Sequence, residues 1–156
     1  MIFAIIANPE KKNAGYYAEK VIEILTKNGG ICKVPTEQRK EYPSEIAAIF
    51  EEESAVYHSC DIVISIGGDG TLIHAAKKAR CHHKPVLGIN VGRLGFMASL
   101  ETNELDQLKR LFSGKYDVQN RMMLRLTHIR NGEQMVYDAL NDVVLSKGSL
   151  SRMIDL

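Results

Sequence analysis

Hydrophobic and polar positions alternate along the first two-thirds of the chain in a pattern that predicts buried strands separated by helices. Short apolar runs are typical of parallel strands covered on both faces, and they occupy residues 2–7 (IFAIIA), 31–35 (ICKVP), 61–66 (DIVISI) and 84–90 (KPVLGIN). Apolar residues at helical spacing predict helices over 14–28, 44–53 (capped by Ser44), 71–79 and 102–112, with a loop over 36–44. This order predicts an α/β fold, a Rossmann-like parallel sheet with flanking helices.

The pattern changes near residue 116, after which no helix is indicated. Residues 123–130 alternate, Asn131-Gly132 is typical of a type I′ hairpin turn, and residues 134–146 and 151–156 again resemble strands. We therefore predict two domains. Residues 1–116 form an α/β domain, and residues 117–156 are the first strands of a second, β-rich domain of the β-sandwich type that is incomplete here.

The composition is typical of an ordinary folded domain and does not indicate a strongly charged binding partner. The 156 residues are 45% hydrophobic, and 20 Lys and Arg against 19 Asp and Glu leave a net charge of +1. This balance gives no electrostatic reason to expect binding to nucleic acid or to a membrane surface. Three scattered cysteines without a CxxC pair indicate reduced thiols, and no signal peptide or spanning segment is recognisable, so we expect a cytoplasmic protein.

A glycine-rich loop follows the most strongly predicted strand and precedes a helix. Gly67, Gly68 and Gly70 allow a sharp turn and let backbone amides approach a ligand without an intervening side chain. In open parallel sheets, ligands bind at the carboxyl ends of the strands, where a helix N-terminus attracts an anion. The loop therefore predicts a phosphate site, with Thr71 either capping the helix or contacting phosphate.

The aspartate at the centre of this loop needs a separate explanation, because a carboxylate repels phosphate. Asp69 could take the proton from an attacking hydroxyl or help to hold Mg²⁺ beside the phosphates, and both roles imply phosphoryl transfer. The alternative is that Asp69 only closes a turn, which is common for Gly-Asp-Gly. The loop by itself does not decide between these interpretations.

Further segments of the sequence help to decide whether Asp69 serves phosphoryl transfer or only closes a turn. GGDGT after an apolar strand resembles the kinase superfamily that contains NAD kinases, diacylglycerol and sphingosine kinases and, more distantly, phosphofructokinases. GINVGRLGFMAS (88–99) resembles the second glycine-rich segment of NAD kinases, RMMLRL (121–126) fits their entry into a β-domain, and ALNDVVLSKGSLSRMIDL (139–156) resembles the stretch at their Asn-acidic pair. Because these motifs keep the order and spacing of the family, the chain is identified as a member of the NAD kinase family.

The resemblance implies roles for individual residues. Asp69 corresponds to the aspartate that activates the 2′-hydroxyl of the adenosine ribose of NAD, which attacks the terminal phosphate of ATP or polyphosphate and yields NADP. Mg²⁺ is expected with the phosphates rather than in a site made by side chains alone. The resemblance also places the loop glycines along the phosphates, Phe96 on the adenine side of the dinucleotide, and Asn141 and Asp142 in hydrogen bonds with NAD. The family usually has Glu at the last position, and Asp is one methylene shorter.

Other residues carry weaker predictions. His74 could reach a phosphate from the first part of the helix, although an exposed surface histidine is the more common case. Arg93 could contact a phosphate or support the loop. Cys81-His82-His83 predicts a polar turn rather than a zinc site, because adjacent side chains seldom converge on one ion.

The resemblance implies more protein than this chain contains. NAD kinases complete the NAD site with later residues of the β-domain, so we expect the 156-residue chain alone to make little or no NADP. The family also implies a homo-oligomer for the full-length protein. Two alternatives stay open, namely a lipid kinase that shares GGDGT and a non-catalytic dinucleotide-binding module.

Overall fold

The computed structural model describes residues 1–92, 95 and 97–144 and contains a central six-stranded parallel sheet. The strands are β1 (Ile2–Ala7), β2 (Ile31–Pro35), β3 (Ile49–Glu51), β4 (Ile62–Gly67), β5 (Val86–Asn90) and β6 (Leu100–Glu101). They lie in the order β3-β2-β1-β4-β5-β6, and every neighbouring pair is parallel. The central strand β4 is paired with β1 on one side and with β5 on the other.

Helices cover both faces of the sheet. They comprise α1 (Ala14–Lys27), α2 (Glu53–Ser59) and α3 (Asp69–Cys81), with two 3₁₀ helices at Thr36–Glu41 and Leu105–Leu111. Successive residues of a strand point to opposite faces, and β1 shows the consequence. Phe3 and Ile5 belong to a core with α1 and the second 3₁₀ helix, whereas Ala4 and Ile6 belong to a core with α2 and α3. Both faces of the sheet are therefore buried, as its continuous apolar runs predict.

An antiparallel hairpin follows the α/β unit in the chain. The chain divides into two compact units after Gln119, and in the second unit β7 (Leu124–Arg130) pairs with β8 (Glu133–Ala139). Asn131 and Gly132 have φ angles of 52° and 82°, as a type I′ turn requires. The predicted α/β fold and the hairpin after it are confirmed.

One predicted helix is wrong. Residues 44–53 do not form a helix capped by Ser44, because Ile49–Glu51 is strand β3 and the helix begins only at Glu53. Pairing with β2 decides the conformation here, and the Lys33 Nζ lies 2.9 Å from a Glu51 carboxylate oxygen across the two strands. The cap of α2 is Glu52, whose carboxylate accepts a hydrogen bond from an amide in the first turn. Local spacing of apolar residues cannot reveal a partner strand that lies farther back in the chain.

Other predicted boundaries change by smaller amounts. The predicted loop over 36–44 contains a 3₁₀ helix, and the helix predicted over 102–112 is a shorter 3₁₀ helix. The strand predicted over 134–146 ends at Ala139, and the strand predicted over 151–156 lies outside the described residues. Among the described residues, no helix is both long enough and apolar enough to cross a membrane.

The three cysteines should differ in reactivity. Cys32 and Cys60 are buried and Cys81 is exposed, and all three are free thiols. Burial raises the pKa of the Cys32 thiol to about 12 and also raises the pKa of Cys60. Since the thiolate is the reactive form, we expect a maleimide to modify Cys81 in the native protein and the other two only after unfolding. Mass spectrometry of labelled peptides checks this, and rapid native labelling of Cys32 would contradict the packing of β2.

Candidate functional site

The order of the strands brings the carboxyl ends of β1 and β4 together at the centre of the sheet. From β1 the chain continues to β2 and β3 on one side, and from β4 it continues to β5 and β6 on the other. Crossovers that leave in opposite directions open a crevice above these two strand ends, where ligands of open α/β sheets bind. The predicted glycine loop lies at this point.

The glycine loop makes a close turn from β4 into α3. Gly67 ends the strand, Gly68 is extended with φ −106° and ψ −174°, and α3 begins at Asp69. A Cβ atom on Gly67 would lie only 2.8 Å from the Cβ of Thr71, so no larger residue fits there without displacement. The first-turn amides of a helix have no intrahelical acceptor, which suits this end of α3 to an anion.

Thr71 has a different place from the one predicted as a cap. Because α3 begins at Asp69, Thr71 lies within the first turn and Gly68 occupies the cap position. The Thr71 hydroxyl accepts a hydrogen bond of 3.2 Å from the Asn8 Nδ2, and the Asn8 amide donates to the carbonyl of Ile66 at 3.0 Å. These two bonds connect the β1–α1 loop to the glycine loop.

Asp69 is partly buried, and its carboxylate lies against the segment that follows β5. The Met97 amide donates a hydrogen bond of 3.3 Å to the Asp69 Oδ1. A Cβ atom on Gly95 would lie 2.6 Å from the same oxygen. The carboxylate therefore depends on a glycine at position 95 for its position.

The end of β5 is also held close to the loop. Asn90 is 1% exposed, and its Nδ2 donates to both carboxylate oxygens of Glu101 at 3.1 Å. The amide of the next residue, Val91, donates to the carbonyl of Gly67 at 2.8 Å. Three strand ends, those of β1, β4 and β5, thus meet around Gly67.

A cavity of about 460 Å³ opens at this junction. It is lined by residues from the β1–α1 loop, the glycine loop and the segment after β5: Lys11, Lys12, Gly68, Asp69, Asn90, Val91, Gly92 and Gly95. Its volume falls within the range of small-molecule sites. A second cavity of about 460 Å³ lies by the Leu105–Leu111 helix and is lined by none of the predicted site residues.

The structure brings together some of the predicted site residues. Gly67, Gly68, Asp69, Gly70 and Thr71 form one loop and helix start, as the motif indicates.

The remaining predicted residues are elsewhere or outside the description. His74 is exposed on α3 and does not line the cavity. Asn141 and Asp142 are exposed after β8, in the second unit, and Phe96 and Arg93 lie outside the described residues. In the part of the chain that the structure describes, no group of three His, Cys, Asp or Glu side chains is placed to hold a metal ion.

The motifs did not single out several lining or supporting residues, namely Asn8, Lys11, Lys12, Asn90 and Gly95, although the last two lie within the glycine-rich segment 88–99. Asn8 and Asn90 each come at the end of a predicted strand, so the rule that ligands bind at the carboxyl ends could have identified them. Lys11 and Lys12 come shortly after the first strand, so the same rule could have identified them.

The chain resembles known proteins both in sequence and in fold. The model of the ATP-NAD kinase N-terminal domain family matches residues 3–116. An NAD kinase of Citrifermentans bemidjiense is 36% identical over 155 residues, covering 98% of this chain and 54% of that protein. An NAD kinase of Acetivibrio thermocellus is 34% identical over 154 residues, covering 97% and 53%. The chain thus spans about half the length of the curated relatives it matches.

The fold is also similar to that of a solved structure. Yeast NADH kinase, determined in complex with NADH, superimposes with a TM-score of 0.77 at 18% identity, covering 90% of this chain and 47% of that one. At this identity the likeness concerns the fold alone. It agrees with the parallel sheet and its flanking helices.

The loop glycines should respond differently to an added methyl group. Gly67→Ala places a Cβ against Thr71, so we expect it to lower the free energy of unfolding by about 1–3 kcal/mol. Gly70→Ala meets nothing within 4 Å and replaces glycine inside a helix, so it should raise stability by about 0.5–1 kcal/mol. Urea unfolding of both variants measures the difference. Equal effects would show that Thr71 does not pack against Gly67.

Proposed function

The chain belongs to the NAD kinase family, and on that premise we propose that the protein transfers the terminal phosphoryl group of ATP to the 2′-hydroxyl of the adenosine ribose of NAD, giving NADP. The observation that carries the proposal is the position of Asp69. Asp69 lines a cavity at the carboxyl ends of β1 and β4, and it lies in the first turn of the helix that follows a glycine loop. This position supports the proposal that Asp69 carries the chemistry.

Asp69 acts as the general base in this proposal. A ribose hydroxyl is a poor nucleophile near neutral pH, and a positioned base contributes about 10²–10⁴-fold to its attack. The proton of the 2′-hydroxyl passes to the Asp69 carboxylate as the ribose oxygen bonds to the γ-phosphorus, while the bond from that phosphorus to the β–γ bridging oxygen breaks and ADP leaves. The hydrogen bond from Met97 to the Oδ1 supports the role, because it fixes the direction of the carboxylate.

The loop supplies positioning and partial positive charge. Gly67, Gly68 and Gly70 let the phosphates approach the backbone, and the N-terminal end of α3 is favourable for their charge. Thr71 supports the loop through its hydrogen bond with Asn8. Alignment of the reactants accounts for much of the catalysis in phosphoryl transfer.

Mg²⁺ fits the residues that line the cavity. Proteins commonly hold Mg²⁺ through one or two carboxylates together with substrate phosphates. Here the donor phosphates would hold the ion near Asp69, and the Asp69 carboxylate would stay available as the base. When bound, the ion neutralises charge on the phosphates of the donor.

The remaining assignments rest on the family resemblance. Phe96, Asn141 and Asp142 are proposed to bind NAD, whereas His74 and Arg93 are secondary candidates for phosphate contacts. Residues 117–156 are proposed to begin a β-rich domain, in a cytoplasmic protein that forms homo-oligomers. Polyphosphate is the alternative donor to ATP.

The two alternatives make different predictions. A lipid kinase would phosphorylate lipid in vesicles and would not bind NAD, and the matched family and relatives do not favour it. A non-catalytic module would bind NAD with the same affinity in the Asp69→Asn variant, and its complete protein would make no NADP. Both are tested by the same assays.

Asp69→Asn should abolish most of the activity while keeping the fold. Asparagine retains the Oδ1 that accepts from Met97 but is not a base, so we expect NADP formation by the complete protein to fall about 10²–10⁴-fold. NADP is measured from NAD, ATP and Mg²⁺ in an enzymatic cycling assay, with the 156-residue chain assayed alongside. Asp106→Asn, on the exposed face of a 3₁₀ helix, is the matched control and should keep full activity. An Asp69→Asn protein that forms NADP at the rate of the wild type would contradict the proposal.

Gly95→Ala should lower the activity through Asp69. The added Cβ would lie 2.6 Å from the Oδ1, and the carboxylate must move to make room. Because a displacement of about 1 Å can cost about 100-fold, we expect a 10- to 100-fold loss in kcat. Gly15→Ala in α1 is the control, since its Cβ would make an ordinary contact of 3.7 Å with the carbonyl oxygen of Glu41. Unchanged kcat in Gly95→Ala would show that the segment after β5 does not position the base.

A further inference from the structure

We propose that Lys11 and Lys12 bind the phosphate chain of the phosphoryl donor, so that the β1–α1 loop forms the donor side of the site. This inference rests on the proposed function and deepens it. Both lysines line the same cavity as Asp69. A Cβ atom on Gly68 would lie 3.9 Å from the Lys11 Cε, which places the end of this side chain beside the glycine loop.

The first argument is the charge around the cavity. Within the described residues, neither lysine has an acidic side chain at ion-pair distance. They directly precede α1, a 14-residue helix with no acidic residue in its first turn, and they lie close to the start of α3. Cations are unfavourable at helix N-termini. Lys11 and Lys12 therefore place two positive charges beside the N-termini of α1 and α3, and a bound anion would stabilise this arrangement.

The second argument is that the loop bearing the lysines is held in place. The Asn8 side chain donates to Thr71, its backbone amide donates to Ile66, and its Oδ1 accepts from the Glu10 amide at 3.0 Å. The Lys11 amide in turn donates to the carbonyl of Asn8 at 3.1 Å. The backbone that carries the lysines is thus anchored to the glycine loop by hydrogen bonds rather than only connected to it through the sheet.

The third argument distinguishes the donor from NAD, whose pyrophosphate is also an anion. The Asp69 carboxylate lies against Gly95 and Met97, whereas Lys11 lies beside Gly68. The acceptor hydroxyl must meet the carboxylate, and the chain of donor phosphates must extend away from that hydroxyl in line with the attack. The lysines are therefore assigned to the donor and the segment after β5 to the acceptor.

The test compares binding of three probes to two matched double variants of the complete protein. The first variant is Lys11→Gln/Lys12→Gln, and the second is Lys27→Gln/Lys77→Gln, which removes the same charge from exposed positions away from the cavity. The probes are ATP with Mg²⁺, inorganic tripolyphosphate and NAD, each measured by isothermal titration calorimetry. Circular dichroism verifies that both variants are folded.

We expect the first variant to bind ATP and tripolyphosphate about tenfold more weakly or worse, because each lysine lost removes a charge-assisted hydrogen bond. NAD affinity should change by less than about twofold, and the control should match the wild type for all three probes within the same margin. In steady-state kinetics the KM for ATP should rise while the KM for NAD stays constant. The difference between the variants should shrink as salt is added.

Three results would overturn the inference. They are equal ATP affinity in both double variants, a loss of NAD affinity in place of ATP affinity, and a wild-type protein that binds neither ATP nor tripolyphosphate. Failure of the proposed function is a separate result, because it is read from NADP formation by the wild type. A wild type that makes NADP with unaffected lysine variants contradicts only the inference. If the wild type makes no NADP, but the Lys11→Gln/Lys12→Gln variant binds ATP more weakly than the wild type does, only the proposed function is contradicted.

Discussion

The glycine at the end of β4 is the constraint on which the arrangement of the site depends. The carbonyl of Gly67 accepts the amide of Val91, and the missing side chain leaves room for Thr71 to pack against the backbone. In this position the Thr71 hydroxyl accepts the hydrogen bond from Asn8. These hydrogen bonds join the ends of β1, β4 and β5 around Gly67. The loops that form the cavity take their positions from this junction.

A carboxylate in a phosphate site is compatible with this junction because the surrounding charge is mostly positive. Asp69 lies at the start of α3, where the helix dipole favours a negative group. Lys11 and Lys12 line the same cavity from the opposite loop. A site with this mixture of signs can hold an anionic donor and still present a base to a neutral hydroxyl, which a purely cationic site could not do.

Much of the fold could be predicted from the sequence because β1, β4 and β5 are continuous apolar runs buried on both faces. The edge strand β3 could not, since Ile49 and Phe50 have no local signal that distinguishes strand from helix, and the conformation follows from pairing with β2. The same distinction applies to the site. The glycine loop and Asp69 are contiguous and were predicted from their motif, whereas Asn8 and Asn90 come from separate strands that only the topology brings together.

The brevity of the outer strands has a consequence for association between copies of the molecule. The two edges of the central sheet are β3, with three residues, and β6, with two. An exposed edge invites another chain to add a strand, and very short edge strands are one way in which native proteins prevent this. Sheet extension across either edge would gain few backbone hydrogen bonds, so any assembly involving this sheet has to rely on side-chain surfaces.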